Sequence, residues 1–172
     1  SQGIKYPKTS KHLKKLYVKK NNCIKDYIHK MTRYITDYCV SNGIYRVVAG
    51  DIKGIRKKKD LGAKTNQKLH SLPYARIYKQ LEYKLKLQGI KLIKQEERYT
   101  SQCPPESKEV SRACAKKENR KKRGLFFVDD VIYNADAVGA YNILRKYNAK
   151  SGKTINMPIS GLKNTIMVKV AV

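Results

Sequence analysis

The sequence predicts an α/β domain, and three observations lead there. Apolar residues fill 41% of 172 positions, enough for a core and too many for a chain disordered by composition. Stretches with three- and four-residue apolar spacing alternate with short β-branched runs. The order is helix, strand, helix, strand, insert, hairpin, helix, which is the pattern of α/β architecture. There is no internal repeat, no GxGxxG fingerprint and no phosphate-binding GxxxxGK[ST] loop.

Residues 1–10 read as an irregular lead-in. Leu13, Leu16, Tyr17, Ile24, Tyr27, Ile28, Met31, Tyr34, Ile35 and Tyr38 then define one face of a long helix over 10–41, stopped by Asn42-Gly43. Residues 44–49 form a buried strand that ends at Gly50-Asp51, and 52–70 read as a Gly- and Lys-rich loop. A second helix starts near Pro73, presents Ile77, Leu81 and Leu85 on one face, and stops at Gln88-Gly89. A second strand opens at Ile90 and runs into Gln95-Glu96-Glu97. This spacing predicts parallel pairing of the two strands through a right-handed crossover. Residues 103–123 are polar and irregular; 125–128 and 131–133 flank Asp129-Asp130 as a hairpin. Asn134-Ala135-Asp136 leads into a third helix over 137–147, and 167–170 read as a terminal strand.

Charge narrows the function classes. Thirty-nine lysines and arginines face 13 acids, a formal +26. The excess runs along the whole chain, with clusters at Arg56, Lys57, Lys58 and Lys59 and at Arg120, Lys121, Lys122 and Arg123. Thirteen tyrosines accompany it, without tryptophan. Such a surface suits phosphate-backbone contacts, with exposed tyrosines stacking on bases or buried ones packing the core. No window reaches 18 apolar residues, and no secretory leader or lipidation box stands out, so a cytoplasmic, nucleic-acid-binding protein without a membrane role is expected. Four cysteines are too few for a disulfide scaffold, and Cys23 and Cys39 read as small hydrophobes on the first helix.

Because acids are scarce, their places matter. Asp51, Glu97 and Asp136 fall at strand ends or a helix start, where α/β sheets bind ligands. Gathered carboxylates suit hard cations, and paired ions can drive phosphodiester hydrolysis. Taken singly, Asp136 also reads as a helix cap and Glu97 as a solvated charge. Cys103 and Cys114 lack the close C-x₂-C spacing of a zinc knuckle, so no zinc is expected.

Several ordered motifs resemble TnpB (OrfB) proteins. These are Asp26-x-x-His29-Lys30-x-Thr32; Val47-Val48-Ala49-Gly50-Asp51-Ile52-Lys53-Gly54-Ile55-Arg56; Leu81-Glu82-Tyr83-Lys84; Glu97-Arg98-Tyr99-Thr100-Ser101-Gln102-Cys103-Pro104; and Asn134-Ala135-Asp136-Ala137-Val138-Gly139-Ala140-Tyr141-Asn142. The resemblance covers roughly residues 12–148. It implies an RNase H-like (RuvC) nuclease fold, apparently lacking its first strands, over 10–150. A degenerate, metal-free ribbon insert would lie at 103–124 and a basic tail at 151–172. Proteins of this family are transposon-encoded, RNA-guided DNA endonucleases related to type V CRISPR effectors, with guide RNA and DNA as partners and Mg²⁺ (or Mn²⁺) as cofactor. Their first acid lies in an Asp-x-Gly setting on the first strand of the domain, and this sequence begins near the long helix that follows the early strands, so the chain resembles the carboxy-terminal part of a prokaryotic protein about twice as long. The second acid usually ends the strand that here finishes at Gly50. A subset carries it on the next strand in a Glu-x-Tyr-Thr-Ser setting, which Glu97 matches, with Asp51 as the alternative. The third acid matches Asp136. The resemblance leaves two functional expectations: an active endonuclease in the full-length protein, or a catalytically dead nucleic-acid-binding remnant.

Overall fold

The computed structural model describes residues 10–51, 73–152, 158–166 and 168–169. Helix α1 spans Lys11–Ser41. Ser10 caps it, its hydroxyl accepting from the Leu13 amide at 3.1 Å. At the far end, the Asn42 amide donates to the Tyr38 carbonyl, and Gly43 turns the chain at φ 62°. Only the second half of α1 is packed, through Ile28, Thr32, Thr36 and Cys39. The two buried threonines are tolerated because their hydroxyls donate to the carbonyls of Ile28 (2.7 Å) and Thr32 (2.8 Å).

Strand β1 (Arg46–Asp51) follows, then α2 (Tyr74–Leu87) and β2 (Lys91–Glu96). The strands pair in parallel, with Val47 opposite Leu92, Gly50 opposite Gln95 and Asp51 opposite Glu96. Expected parallel pairing through the Leu81 helix is therefore found. Strand β1, however, begins and ends two residues later than expected. Residues 42–45 are used to leave the helix: the Ile44 amide donates to the Cys39 carbonyl at 2.8 Å, and the ladder starts only where the Lys91 amide meets the Tyr45 carbonyl at 3.0 Å. Asp51 thus lies inside the strand, not beyond it.

One core gathers Cys39, Leu81, Leu85 and Ile90, with Ile35, Ile44, Val47 and Leu92 around them. Lys84 clamps α2 to α1, donating to the His29 carbonyl at 2.6 Å and the Thr32 hydroxyl at 2.9 Å. Burial, then the nearby Arg33 charge, pushes the Lys84 ammonium below its ordinary value, while Asp37 opposes them. Cys23 differs from expectation: it is exposed, because the half of α1 that carries it has no packed neighbour among the described residues.

After β2 the chain is irregular until a 3₁₀ turn at Lys117–Arg120. Strands β3 (Leu125–Val128) and β4 (Val131–Asn134) form the expected antiparallel hairpin, with Asp129 at φ 47° in its turn. Helix α3 (Ala135–Ala149) follows, and a 3₁₀ turn covers Ile159–Leu162. A second core joins Phe126, Tyr133, Ala135, Val138, Tyr141 and Leu162. Lys146 of α3 reaches Glu96 of β2 at 2.9 Å. The described residues therefore hold two two-stranded sheets in a mixed α/β arrangement. Residues 168–169 have no regular structure, and the rest of the expected terminal strand lies outside the described residues. Among the described residues no helix is long and apolar enough to cross a membrane.

Leu85 is fully buried between α1 and the sheet, whereas Leu87, two residues on, is 65% exposed. We expect Leu85→Ala to lower unfolding free energy by about 2–5 kcal/mol. Leu87→Ala should change it by about 0.5 kcal/mol or less in the same urea titration. Equal losses would place the core elsewhere.

Candidate functional site

The carboxyl end of the β1–β2 pair brings several polar groups together. Glu97 is the first residue beyond β2, and its side chain folds across to the neighbouring strand. A methyl group built on Gly50 would overlap the Glu97 carboxyl, with Cγ only 2.6 Å away. Position 50 is buried, and glycine is the residue there whose bare Cα leaves room for that carboxyl. Glu97 is half-buried, so it is not the freely solvated charge that its polar setting in the sequence allowed.

The backbone around Glu97 is fixed from two sides. Its carbonyl accepts from the Thr100 amide (3.1 Å) and hydroxyl (2.7 Å), closing a turn in which Tyr99 takes φ 68°. From α3, the fully buried Asn142 donates its amide to the carbonyls of Thr100 (2.9 Å) and Cys103 (2.8 Å). Each would otherwise be an unsatisfied buried acceptor.

Tyr78 of α2 donates its hydroxyl to the Gly50 carbonyl. Burial, then the charges of Glu97 and Asp51, raises its phenol above the ordinary value, with Tyr74 adding to them. Both carboxylates therefore act on one hydroxyl, which stays protonated and able to donate. The Lys94 ammonium lies 5.3 Å from the centre of the Tyr78 ring. Sequence reasoning missed Tyr78 and Lys94; their only signal was a place on elements adjoining Gly50 and Glu97.

Asp136 stands in the first turn of α3 and is exposed. The cap is Asn134, whose side-chain oxygen accepts from the amides of Asp136 and Ala137, both at 3.0 Å. The cap reading of Asp136 is thereby answered by its neighbour. Hard oxygen donors at Asp51, Glu97 and Asp136 suit a divalent cation in kind. Among the described residues, however, no three Asp, Glu, His or Cys side chains gather into a metal-holding group.

Protein contacts anchor the expected ribbon segment. Cys103 is fully buried, its thiol donating to the Ser111 carbonyl at 3.3 Å. Burial raises that thiol, and Cys114 is near enough to add to the rise. The Glu106 carboxylate accepts from the Tyr133 hydroxyl, and Arg145 donates to the carbonyls of Pro104 (3.3 Å) and Ser107. Arg120, Lys121, Lys122 and Arg123 all lie exposed beside the 3₁₀ turn. The other basic cluster, Arg56, Lys57, Lys58 and Lys59, lies outside the described residues.

The chain is similar to known proteins in sequence pattern and in fold. A family model described as "Cas12f1-like, TNB domain" matches residues 74–143. A solved structure, "Cryo-EM structure of the Cas12f1-sgRNA-target DNA complex", matches with TM-score 0.60 and 24% sequence identity, over 77% of this chain and 36% of that one. The chain thus spans about a third of that relative's length. No curated protein matches.

The Gly50–Glu97 contact can be tested by a double-mutant cycle. Gly50→Ala should cost about 1 kcal/mol or less, since the displaced group is the tip of a flexible side chain. In a Glu97→Ala background the same change should be neutral or stabilising, because alanine suits a strand better than glycine. An equal cost in both backgrounds would mean that Glu97 is not what excludes a side chain at residue 50. A second test concerns Tyr133, whose phenol is pushed up to about 12 by burial first and then by Glu106. The fold favours the neutral phenol, so this stabilisation is full below about pH 10 and is lost as pH rises through 12. The stability difference between the wild type and Tyr133→Phe should be constant below pH 10 and change between 10 and 12 in pH-resolved denaturant titrations. A constant difference across that window would disprove the coupling.

Proposed function

We propose that this TnpB/Cas12f-like chain, whose residues 74–143 match the Cas12f1-like TNB domain, is the RuvC-like nuclease portion of an RNA-guided DNA endonuclease of a transposable element. One observation carries the reading. Glu97 delivers its carboxylate onto Gly50, so an acid from the next strand occupies the space of a side chain at the end of β1. The motif resemblance assigns the second acid to that strand end, and Glu97 supplies it from a relocated position.

In this reading Glu97 and Asp136 hold Mg²⁺ or Mn²⁺, with Asp51 as the alternative acid, and zinc has no role. A bound divalent ion supplies a Lewis acid for the phosphodiester oxygens and a source of hydroxide near neutral pH. The protein's part is positional. Asn142 and Thr100 fix the turn that starts at Glu97. Tyr78 ties the end of β1 to α2, and α3 presents Asp136 from its first turn. Arg120, Lys121, Lys122 and Arg123, together with Arg56, Lys57, Lys58 and Lys59, contact phosphates of DNA and guide RNA, while base pairing with the guide selects sequence. The solved structure that this chain resembles is a complex with sgRNA and target DNA, which supports both partners. The ribbon at 103–124 acts as a metal-free basic insert. A second reading, a catalytically inactive nucleic-acid-binding remnant, draws on the absence of a gathered three-ligand group among the described residues.

Guide-matched DNA cleavage and DNA binding, measured side by side on the intact ribonucleoprotein, decide between them. Glu97→Gln and Asp136→Asn should each reduce Mg²⁺-dependent cleavage by about 100-fold or more while leaving binding nearly unchanged. Asp51→Asn should cost far less. If Asp51→Asn abolishes cutting and Glu97→Gln does not, the site is built around Asp51. Tight binding without any cleavage by the wild type would establish the remnant.

A further inference from the structure

The first 17 residues of α1, 11–27, differ from everything else in the described structure. All are exposed except the half-buried Ile24, and burial begins only at Ile28. At 1.5 Å per residue the segment is an arm about 25 Å long. It carries six lysines and a single acid, Asp26, and that acid is already engaged by Lys30 at 2.8 Å.

The lysines are not spread evenly. At about 100° per residue, Lys11, Lys14, Lys15, Lys19 and Lys25 fall within an arc of about 140°. Lys14, Lys15 and Lys19, with Val18 and Asn22 between them, line a shallow surface groove on this face. Leu13 and Tyr17 point to the other side. Lys11, Lys15 and Lys19 follow one another at i, i+4, where like charges destabilise a helix. Lysines in the first turn also face the positive end of the helix dipole, and that turn contains no acid. The arm therefore holds uncompensated repulsion on one face, which a polyanion relieves.

We propose that this arm is a nucleic-acid-binding element that lays its lysine face along a phosphate backbone. The inference rests on the nucleic-acid reading above but assigns a surface that the reading did not use. A second copy of the chain is a poor occupant, since pairing two such faces would bring ten lysines together. An anionic bilayer offers the same kind of charge and is separated by the test.

The experiment uses the full chain and measures fluorescence anisotropy of a labelled DNA duplex and a labelled structured RNA across a salt series. Lys11→Gln/Lys15→Gln/Lys19→Gln is compared with Lys79→Gln/Lys86→Gln/Lys91→Gln, an equal charge change at exposed positions on the body. The arm triple should make the slope of log affinity against log salt shallower by about 2–3, at about 0.9 for each phosphate no longer neutralised, and the body triple by less than about 1. Lys11→Arg/Lys15→Arg/Lys19→Arg, which keeps charge and helix propensity, should restore the wild-type slope. Equal effects of the two glutamine triples would reduce the arm to diffuse charge and overturn the proposal. So would unchanged nucleic-acid binding in the arm triple alongside abolished sedimentation with phosphatidylserine vesicles. If the wild type binds neither nucleic acid, the broader reading fails together with this one; if it binds and the arm triple is indifferent, only the arm proposal fails.

Discussion

The structure turns on a missing side chain. Residue 50 is bare and the Glu97 carboxyl takes the space that a side chain there would fill, and that exchange depends on the register of the parallel pair. With Gly50 opposite Gln95 and Asp51 opposite Glu96, Glu97 is the first residue free of the ladder. It can fold back across the strand end only if the chain turns at once. Tyr99 in the left-handed region and Thr100 bonded to the Glu97 carbonyl make that turn. Asn142 holds it by two carbonyls. A left-handed tyrosine is unfavourable by itself, so the turn relies on these bonds. Helix α3 thus governs two acids at once: it carries Asp136 in its first turn and, about 9 Å further along its axis, the amide that sets the turn of Glu97.

How much of this was legible in the sequence depended on how many residues repeated a signal. Helix α1 offers many apolar positions in register, and its expected span, 10–41, differs from Lys11–Ser41 by one residue. Strand β1 is six residues long, and its bounds shifted by two because residues 42–45 are absorbed by the helix exit. Periodicity also told which face of α1 is apolar but not whether anything covers it. Leu13, Leu16 and Tyr17 continue the apolar pattern yet remain 41%, 49% and 56% exposed. Cys23 was misjudged for the same reason. At the site, the motif placed Glu97 and Asp136, while the Glu97–Gly50 overlap and the Tyr78 hydroxyl required a third dimension. On paper the cap candidate was Asp136, and the structure gives that role to Asn134. Backbone angles of −71° and 123° at Asn134 place that residue just outside the helix, where a cap belongs.

Four acids among the described residues have local duties. Asp26 pairs with Lys30 at 2.8 Å, Asp37 with Arg33 at 2.9 Å and Glu96 with Lys146 at 2.9 Å. Glu106 receives the Tyr133 hydroxyl. The first two pairs are exposed i, i+4 contacts and contribute little stability. Glu96–Lys146 differs, because it joins α3 to β2. Its carboxyl is held below the ordinary value, first by the hydrogen bond from Lys146 and then by that lysine's charge. This contribution is present above the unfolded carboxylate range and is lost as pH falls through the lowered value.

The carboxylates at the end of the sheet, Asp51 and Glu97, both act on the Tyr78 hydroxyl. Exposed charges beyond about 8–10 Å are largely screened at physiological salt, so near neighbours matter most to these acids. What acts locally is the Lys94 ammonium over the Tyr78 ring and a phenol that Glu97 and Asp51 themselves help to keep protonated. A protonated hydroxyl already committed to the Gly50 carbonyl cannot neutralise either acid. The Gly50–Glu97 arrangement brings a half-buried carboxylate into a place where the fold supplies space and orientation. In the proposed nuclease reading, the pairing of a bare glycine with a relocated glutamate serves a carboxylate that would hold a hard cation, since oxygen donors are what such an ion takes.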